Sequence, residues 1–216
     1  MILIPCLEVT RAMLIPLLFI LGGYLCGSVL FARLAVGLFG KTAILSESRD
    51  ANPGAANAFQ YGGFWCGVLV LCGDLTKGFL PVQLCLAYAD LFAPLPLLLP
   101  LALAAPVIGH TFPLFYRFRG GKGIAVTFGC LLGLWPLWEP VAYFALAFVF
   151  FSVILRVSPH FYRTVVTYLV TLGLLFFRCP PVAWSSFLLM SCAVLLRFHL
   201  SKEEREHMVV NVLWKS

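Results

Sequence analysis

Long apolar runs alternate with short polar connections along almost the whole chain. Interrupting the runs at charges, prolines and glycines gives seven candidate membrane-spanning helices, at about Met13–Leu34, Phe64–Ala87, Leu95–Gly109, Ile124–Leu137, Val141–Leu155, Val165–Phe177 and Val182–Phe198. A crossing needs about 20 mostly apolar residues, so we expect the shorter runs to extend into their flanks or to lie in thinned bilayer. The pattern predicts an all-α, polytopic membrane protein with one transmembrane domain over residues 1–216.

Composition supports a membrane protein and argues against several other classes. Hydrophobic residues make up 62% of the 216 residues, charged residues make up 11%, and the mean hydropathy is +0.98. A water-soluble fold of this length could not bury so much apolar surface. The formal charge of +6 does not form a basic stripe interleaved with aromatic residues, so lipid and phosphorylated substrates are better partners than nucleic acid.

Cysteine spacing and the N-terminus add two expectations. The eight cysteines are scattered and contain no C-x-x-C pair, which indicates small hydrophobic side chains, without a metal site or another cofactor. The N-terminus lacks the basic segment and cleavage site of a signal peptide, so we expect the first apolar run to be a retained helix.

Basic residues collect on alternate connections between the predicted helices. One side of the membrane receives Lys41, Arg49, Arg117, Arg119, Lys122, Arg156, Arg163, Lys202, Arg205 and Lys215. The other side receives Arg11 and Arg178. By the positive-inside rule, this asymmetry predicts an N-terminus outside the cell and a C-terminus in the cytoplasm.

A glycine-rich basic segment, Gly120-Gly121-Lys122-Gly123, precedes the fourth predicted helix on the cytoplasmic side. Glycines allow backbone amides to approach an anion, a helix N-terminus adds partial positive charge, and Lys122 adds a full charge. We interpret the segment as a phosphate site in preference to a flexible turn. Its spacing is not that of an ATP-binding Walker A loop.

Three other polar groups are candidates for chemistry. His110, at the inner end of the third predicted helix, could donate to phosphate or shuttle a proton, or could be an ordinary interfacial histidine. Asp74 and Lys77 lie three residues apart on one face of an apolar predicted helix. Inserting a charged residue into a membrane costs about 2.5–3.5 kcal/mol, so this pair either has a function or forms a structural ion pair. Asn52 and Asn57 could bind substrate hydroxyls or stabilise their own turn.

Read in order, five motifs resemble one family. They are Gly27-Ser28, Asn52-Pro-Gly-Ala-Ala-Asn57, Asp74-x-x-Lys77-Gly78, Gly109-His110-x-Phe-Pro and Gly120-Gly-Lys-Gly123. Over about Tyr24 to Gly133 the chain is similar to the bacterial membrane acyl-phosphate:glycerol-3-phosphate acyltransferases. The resemblance implies transfer of a fatty acyl group from acyl phosphate to the sn-1 hydroxyl of glycerol 3-phosphate, which gives lysophosphatidic acid for phospholipid biosynthesis without acyl-CoA or a metal.

The same resemblance implies roles for individual residues and shows departures. It implies a phosphate site at Gly120–Gly123 and substrate-facing roles for Asn52, Asn57 and Lys77. In the first loop, Asp50, Ala56 and Gln60 replace the family's usual serine, threonine and arginine. Near the C-terminus, in Arg197-Phe198-His199, the histidine is one position later than in the family's motif, and no matching asparagine follows. Ser158 is a weak match to the family's serines after the fifth helix.

Acyl phosphate is a mixed anhydride with a good leaving group, so catalysis needs positioning and charge neutralisation more than a protein nucleophile. We expect the glycine loop with Lys122 to bind one phosphate, and Lys77 with Arg49 or His110 to bind the other. A substrate phosphate could accept the acceptor's proton, and Asp50 is the one new candidate general base.

Two other functions remain open from the sequence. One is a small-anion transporter, suggested by Asp74 and Lys77, and the other is a catalytically weak membrane paralogue or subunit. In the acyltransferase interpretation, the protein is a multi-pass cell-membrane enzyme whose active site faces the cytoplasm.

Overall fold

The structure is a computed structural model that describes residues 3–40, 44, 53–201 and 207–212, with residues 3–12 as backbone only. The helices in these ranges are α1 (Leu3–Ser28), α2 (Phe31–Phe39), α3 (Ala55–Gly62), α4 (Phe64–Ala87), α5 (Leu98–Thr111), α6 (Ile124–Leu132), α7 (Glu139–Val149), α8 (His160–Arg178) and α9 (Pro181–Leu200). A π-helical segment, Phe150–Ile154, continues α7. Strands β1 (Leu155–Ser158) and β2 (Val209–Val212) pair antiparallel, with Ser158 opposite Val209.

Each of the seven predicted apolar runs contains a helix, but within the described ranges only five helical segments are long and apolar enough to cross a membrane. They are Met13–Phe39, Phe64–Ala87, Leu98–Tyr116, His160–Arg178 and Pro181–Leu200. The segment Glu139–Ile154 is shorter, and α6 has only nine residues, Ile124–Leu132. The all-α membrane class is therefore confirmed, whereas the count of seven crossings is not.

Glycines let two pairs of helices approach closely. A methyl group added at Gly27 of α1 would overlap the Pro106 carbonyl of α5, and one at Gly109 of α5 would overlap the Tyr24 carbonyl of α1. An added methyl group at Gly129 of α6 would likewise overlap a carbonyl group of α4. In lipid, association of helices depends on such close packing because the hydrophobic effect between helices is absent. The contacts fix α1 against α5 and α4 against α6.

Helix α6 is short because the loop before it, residues 112–123, enters the helix bundle. Gly129 of α6 packs against Leu75 of α4, and the amide nitrogen of Gln83 on α4 donates to the Gly133 carbonyl at 2.8 Å. The two helices are therefore parallel, and α6 begins near the level of Asp74. At 1.5 Å per residue, Asp74 lies about 15 Å along the axis from the start of α4. The glycine-rich segment consequently lies inside the bundle.

A chain of hydroxyl groups ties the start of α6 to the rest of the bundle. The Thr127 hydroxyl donates to the Gly123 carbonyl at 2.9 Å, and the buried Tyr168 hydroxyl of α8 donates to the Thr127 hydroxyl at 3.0 Å. The Tyr168 ring stacks on Phe187 of α9 with centroids 5.3 Å apart. These contacts hold the end of the glycine-rich segment against α8 and α9.

Candidate active site

Two charged side chains on one face of α4 form a buried ion pair. The Lys77 Nζ atom lies 2.8 Å from Asp74 Oδ1, and the two side chains are only 3% and 2% exposed. The alignment of this contact is poor, because Asp74 Oδ1 has no hydrogen-bond partner of good geometry among the described residues. We treat it as an ion pair that neutralises two charges inside the bundle, where an isolated charge is costly.

The Lys77 ammonium also makes two well-defined hydrogen bonds. It donates to the Val29 carbonyl at 2.6 Å, and its Nζ lies 2.8 Å from His110 Nδ1. Val29 follows the end of α1, and its carbonyl is accessible because the predicted first helix is broken between α1 and α2. The ammonium group is thus held by two hydrogen bonds, to Val29 and His110, and by the ion pair with Asp74.

The contact between Lys77 Nζ and His110 Nδ1 determines which nitrogen of His110 carries a proton. An ammonium group has no acceptor, so His110 Nδ1 must accept, and a neutral imidazole then carries its hydrogen on Nε2. His110 is 2% exposed, yet its side chain lines a cavity between the helices. The arrangement places an oriented N–H donor beside that cavity.

The glycine-rich segment packs directly against His110. The Gly121 amide donates to the His110 carbonyl at 3.1 Å, and a methyl group added at Gly121 would overlap His110 Nε2. The Arg197 Nε atom of α9 donates to the Gly120 carbonyl at 3.0 Å. The Gly121 amide is thus already engaged within the fold, whereas the first-turn residues of α6, Ile124 and Ala125, line the cavity. Amides in a first helical turn have no intrahelical acceptor and suit an anion.

A cavity of about 290 Å³ joins these groups. Its polar lining consists of Asp74, His110, Lys122 and His160. Its apolar lining includes Leu71, Ile124, Phe128 and Phe148, and the start of α3 contributes Gly54, Ala55 and Ala56. One cavity is therefore lined both by cationic and hydrogen-bonding side chains and by aromatic side chains.

The structure brings some of the predicted site residues together. His110, Lys122 and Gly123 line the cavity, whereas Gly120 and Gly121 are buried next to His110. Lys77 lies behind His110, with its ammonium group engaged by protein atoms.

Other predicted residues lie apart from the cavity or cannot be placed. Asn57 is half-buried on the first turn of α3, whose residues Ala55 and Ala56 line the cavity. Ser158 is exposed on β1 and is not among the residues that line the cavity. Arg49, Asp50 and Asn52 lie outside the described residues.

Sequence reasoning missed His160, the first residue of α8. It lines the cavity, and its Nδ1 atom lies 2.8 Å from a guanidinium nitrogen of Arg163. The available signal was a histidine and an arginine three residues apart at a helix start after Pro159. Asp74 and Lys77 have the same spacing and were noticed because both are charged residues within an apolar helix. His160 belongs to no motif and adds no charge within a predicted span.

Comparison with known proteins decides the family. The sequence profile of the glycerol-3-phosphate acyltransferase family matches residues 17–206. This chain belongs to that family. The result confirms the family that the sequence motifs indicated, and it favours an acyltransferase over a small-anion transporter.

Curated relatives named glycerol-3-phosphate acyltransferase match part of the chain. The protein from Endomicrobium trichonymphae is 38% identical over 140 residues, which are 64% of this chain and 68% of that protein. The protein from Methylobacillus flagellatus is 38% identical over 135 residues, or 61% and 65% of the two chains. The protein from Legionella pneumophila (strain Corby) is 42% identical over 113 residues, or 52% and 39%. The matched segment thus spans between about two fifths and two thirds of these relatives.

A solved structure shares the fold of this member of the family. It is the glycerol 3-phosphate form of PlsY (YgiH), an integral membrane glycerol 3-phosphate acyltransferase, with a TM-score of 0.68 and 23% sequence identity. The superposition covers 85% of this chain and 88% of that one. The likeness confirms an integral membrane helical fold.

Removing only the negative member of the buried ion pair should destabilise the protein. Asp74→Leu leaves a buried ammonium without its counter-ion, and we expect a loss of about 3–5 kcal/mol in the free energy of unfolding. Adding Lys77→Met removes the stranded charge and should restore much of that loss. Thermal unfolding of the purified proteins in detergent measures both effects.

Asp90→Leu is the matched control, because Asp90 is an exposed carboxylate in a 3₁₀ turn after α4. It should leave the unfolding temperature nearly unchanged. Equal destabilisation of the single and double variants at Asp74 and Lys77 would contradict the ion-pair account.

Proposed function

We propose that this protein is an acyl-phosphate-dependent glycerol-3-phosphate acyltransferase. It transfers a fatty acyl group from acyl phosphate to the sn-1 hydroxyl of glycerol 3-phosphate and yields lysophosphatidic acid for phospholipid biosynthesis. The observation that carries the proposal is that Lys122 and His110 line the same cavity as Phe128 and Phe148. Such a cavity suits a molecule with an anionic head and an apolar tail.

The polar lining of the cavity supplies several positive or donating groups to a phosphate. Lys122 contributes a full charge, and the first turn of α6 contributes backbone amides with no intrahelical partner. The Nε2–H group of His110, whose orientation Lys77 fixes, adds a neutral hydrogen bond. Together these groups neutralise charge that grows on the leaving phosphate as the anhydride bond breaks.

Positioning of the donor and acceptor is the protein's main contribution to the reaction. The acceptor's sn-1 oxygen attacks the acyl carbonyl carbon, a new ester bond forms, and the carbon–oxygen bond to phosphate breaks. The hydroxyl proton passes to a phosphate oxygen of a substrate, so the products are lysophosphatidic acid and inorganic phosphate. In this proposal no side chain forms a covalent intermediate.

The role proposed for Lys77 follows from its contacts. Its ammonium group is engaged by Asp74, Val29 and His110, so we assign it to the orientation of His110 and not to direct phosphate binding. This assignment explains why a lysine that is 3% exposed adjoins a polar cavity.

The first cytoplasmic loop is proposed to bind the acceptor. Gly54 lines the cavity, and a methyl group at Gly121 would lie 3.1 Å from the Pro53 carbonyl, so this loop ends beside the glycine-rich segment. We propose that Arg49, Asn52 and Asn57 bind glycerol 3-phosphate. Asp50 remains the candidate general base for the hydroxyl of glycerol 3-phosphate. A role for Ser158 is supported only by its weak match to the family's serines.

Lys122→Gln should separate phosphate binding from folding. We expect kcat/KM with purified protein, labelled acyl phosphate and glycerol 3-phosphate to fall by about 10- to 100-fold, since a charged hydrogen bond contributes about 1.5–3 kcal/mol. Arg119→Gln is the matched control in the same loop, because Arg119 is exposed. Full activity of Lys122→Gln, or an equal loss in Arg119→Gln, would contradict the assignment.

We further propose that the protein lies in the cell membrane with its N-terminus outside, its C-terminus inside and the cavity open to the cytoplasm. The excess of Lys and Arg on one set of connections supports this orientation. A cysteine introduced at exposed Arg119 should react with a membrane-impermeant maleimide only after cells are opened. Labelling in intact cells would contradict the proposed orientation and indicate the opposite one.

A further inference from the structure

Three hydrogen bonds lead from α8 to the start of α6. The Gly123 carbonyl accepts from the amide and from the hydroxyl of Thr127, both at 2.9 Å, and the Tyr168 hydroxyl lies 3.0 Å from the Thr127 hydroxyl oxygen. A carbonyl group can only accept, so the Thr127 hydroxyl donates its hydrogen to Gly123. Tyr168 must then donate to Thr127. The hydroxyl bonds therefore run in one direction, from Tyr168 to Thr127 to Gly123.

The direction of these bonds affects the peptide group that joins Gly123 to Ile124. A hydrogen bond accepted by the carbonyl of a peptide group polarises that group and makes its N–H a stronger donor. The Tyr168 hydroxyl, in turn, makes the Thr127 hydroxyl a stronger donor. The two hydroxyl groups consequently act on the Ile124 amide, which belongs to the same peptide group as the Gly123 carbonyl.

The Ile124 amide is placed to meet an anion in the cavity. Gly123 and Ile124 both line the cavity, and Gly123 can do so only with main-chain atoms because it has no side chain. Ile124 is the first residue of α6, so its amide has no acceptor within the helix. Gly123 has a φ of 86°, in the left-handed region that favours glycine, and the chain turns there from the loop into the helix.

A second group in the same cavity indicates that its ligand accepts hydrogen bonds. His110 is 2% exposed and lines the cavity, and its Nε2–H has no acceptor among the residues that the structure describes. A buried donor without a partner is costly unless a ligand or water supplies the acceptor. His110 and the start of α6 thus present donors to one space, and a phosphate group has enough oxygens to accept from both.

Tyr168 itself is remote from the ligand. Its side chain is fully buried and is not among those that line the cavity. Its ring stacks on Phe187 with centroids 5.3 Å apart and meets Phe144 edge-on at 5.0 Å, so the direction of its hydroxyl group is fixed by packing. A phenylalanine would make the same ring contacts. The specific contribution of the hydroxyl group is therefore its bond to Thr127.

We propose that Tyr168 and Thr127 are positioning residues that align and polarise the Gly123–Ile124 peptide group, so that the Ile124 amide binds a substrate phosphate. The inference rests on the proposed acyltransferase function and adds to its phosphate site two residues that belong to none of the five sequence motifs. Neither side chain lines the cavity, so both act through the main chain of α6.

Phosphate binding at the Ile124 amide can be measured without acyl transfer. Ile124 is the only isoleucine in the sequence that follows a glycine, so carbonyl carbon-13 glycine and nitrogen-15 isoleucine together select one amide signal. Inorganic phosphate should move this amide proton downfield in the parent protein in nanodiscs. In Tyr168→Phe the dissociation constant of phosphate should rise about two- to fivefold, because cooperativity changes the strength of a hydrogen bond by about 10–30%.

Substitutions at Thr127 test the chain of hydrogen bonds. Thr127→Val removes both hydroxyl contacts and should raise the dissociation constant about fivefold or more, with no further rise when Tyr168→Phe is added. Thr127→Ser keeps a hydroxyl group and should bind phosphate like the parent. Thr167→Val is the matched control, since buried Thr167 also donates to the carbonyl four residues earlier, at 2.8 Å, but is not among the cavity-lining residues. It should leave phosphate binding unchanged.

The outcomes distinguish this inference from the proposed function. An unchanged dissociation constant in both Tyr168→Phe and Thr127→Val, or an equal rise in Thr167→Val, overturns the positioning role. An Ile124 signal that does not respond to phosphate in an active parent protein also overturns it and leaves the acyltransferase proposal intact. A parent whose Ile124 signal responds to phosphate but which transfers no acyl group from labelled acyl phosphate overturns the proposed function instead.

Discussion

The contact of the Lys77 ammonium with Asp74, Val29 and His110 is the interaction on which the site depends. A charge inside a helix bundle in lipid must be neutralised, and its hydrogens must find acceptors. Asp74 provides the neutralising charge, and the break after α1 provides the Val29 carbonyl. His110 Nδ1 provides a second hydrogen-bond acceptor, and the three contacts join α1, α4 and α5 at one point.

His110 extends this interaction to the cavity. Its Nδ1 atom faces Lys77, its carbonyl accepts from the Gly121 amide, and its side chain lines the cavity. The buried charge pair is thus connected to the glycine-rich segment through a single residue. A site built in this way is preorganised before substrate arrives, which is the main requirement for transfer from a reactive anhydride.

Much of the fold could be predicted from sequence because it depends on local hydrophobicity. All seven predicted runs contain helices, and the spacing of Asp74 and Lys77 correctly indicated one helix face. The short length of α6 could not be predicted, because it results from a loop that enters the bundle alongside α4. The break at Val29 also depends on tertiary structure, since its carbonyl is stabilised by a lysine 48 residues away.

The candidate site was predicted only in part, for similar physical reasons. His110 and Lys122 belong to recognisable motifs, and both line the cavity. The position of Lys77 behind His110 could not be read from residue type, because a lysine near a phosphate site could equally bind the ligand. His160 was missed because its relevance arises from the packing of α8 against α7, which no spacing within its own helix reveals.

Nitrogen-15 NMR of histidine-labelled protein in nanodiscs tests the central claim that Lys77 holds His110 as a neutral Nε2–H donor. The chain has four histidines, so the His110 signals can be assigned by their loss in His110→Gln. At neutral pH we predict a hydrogen on Nε2 and none on Nδ1, and a mixture of tautomers in the Asp74→Leu and Lys77→Met double variant. A hydrogen on Nδ1 in the parent protein, or no change in the double variant, would contradict the account.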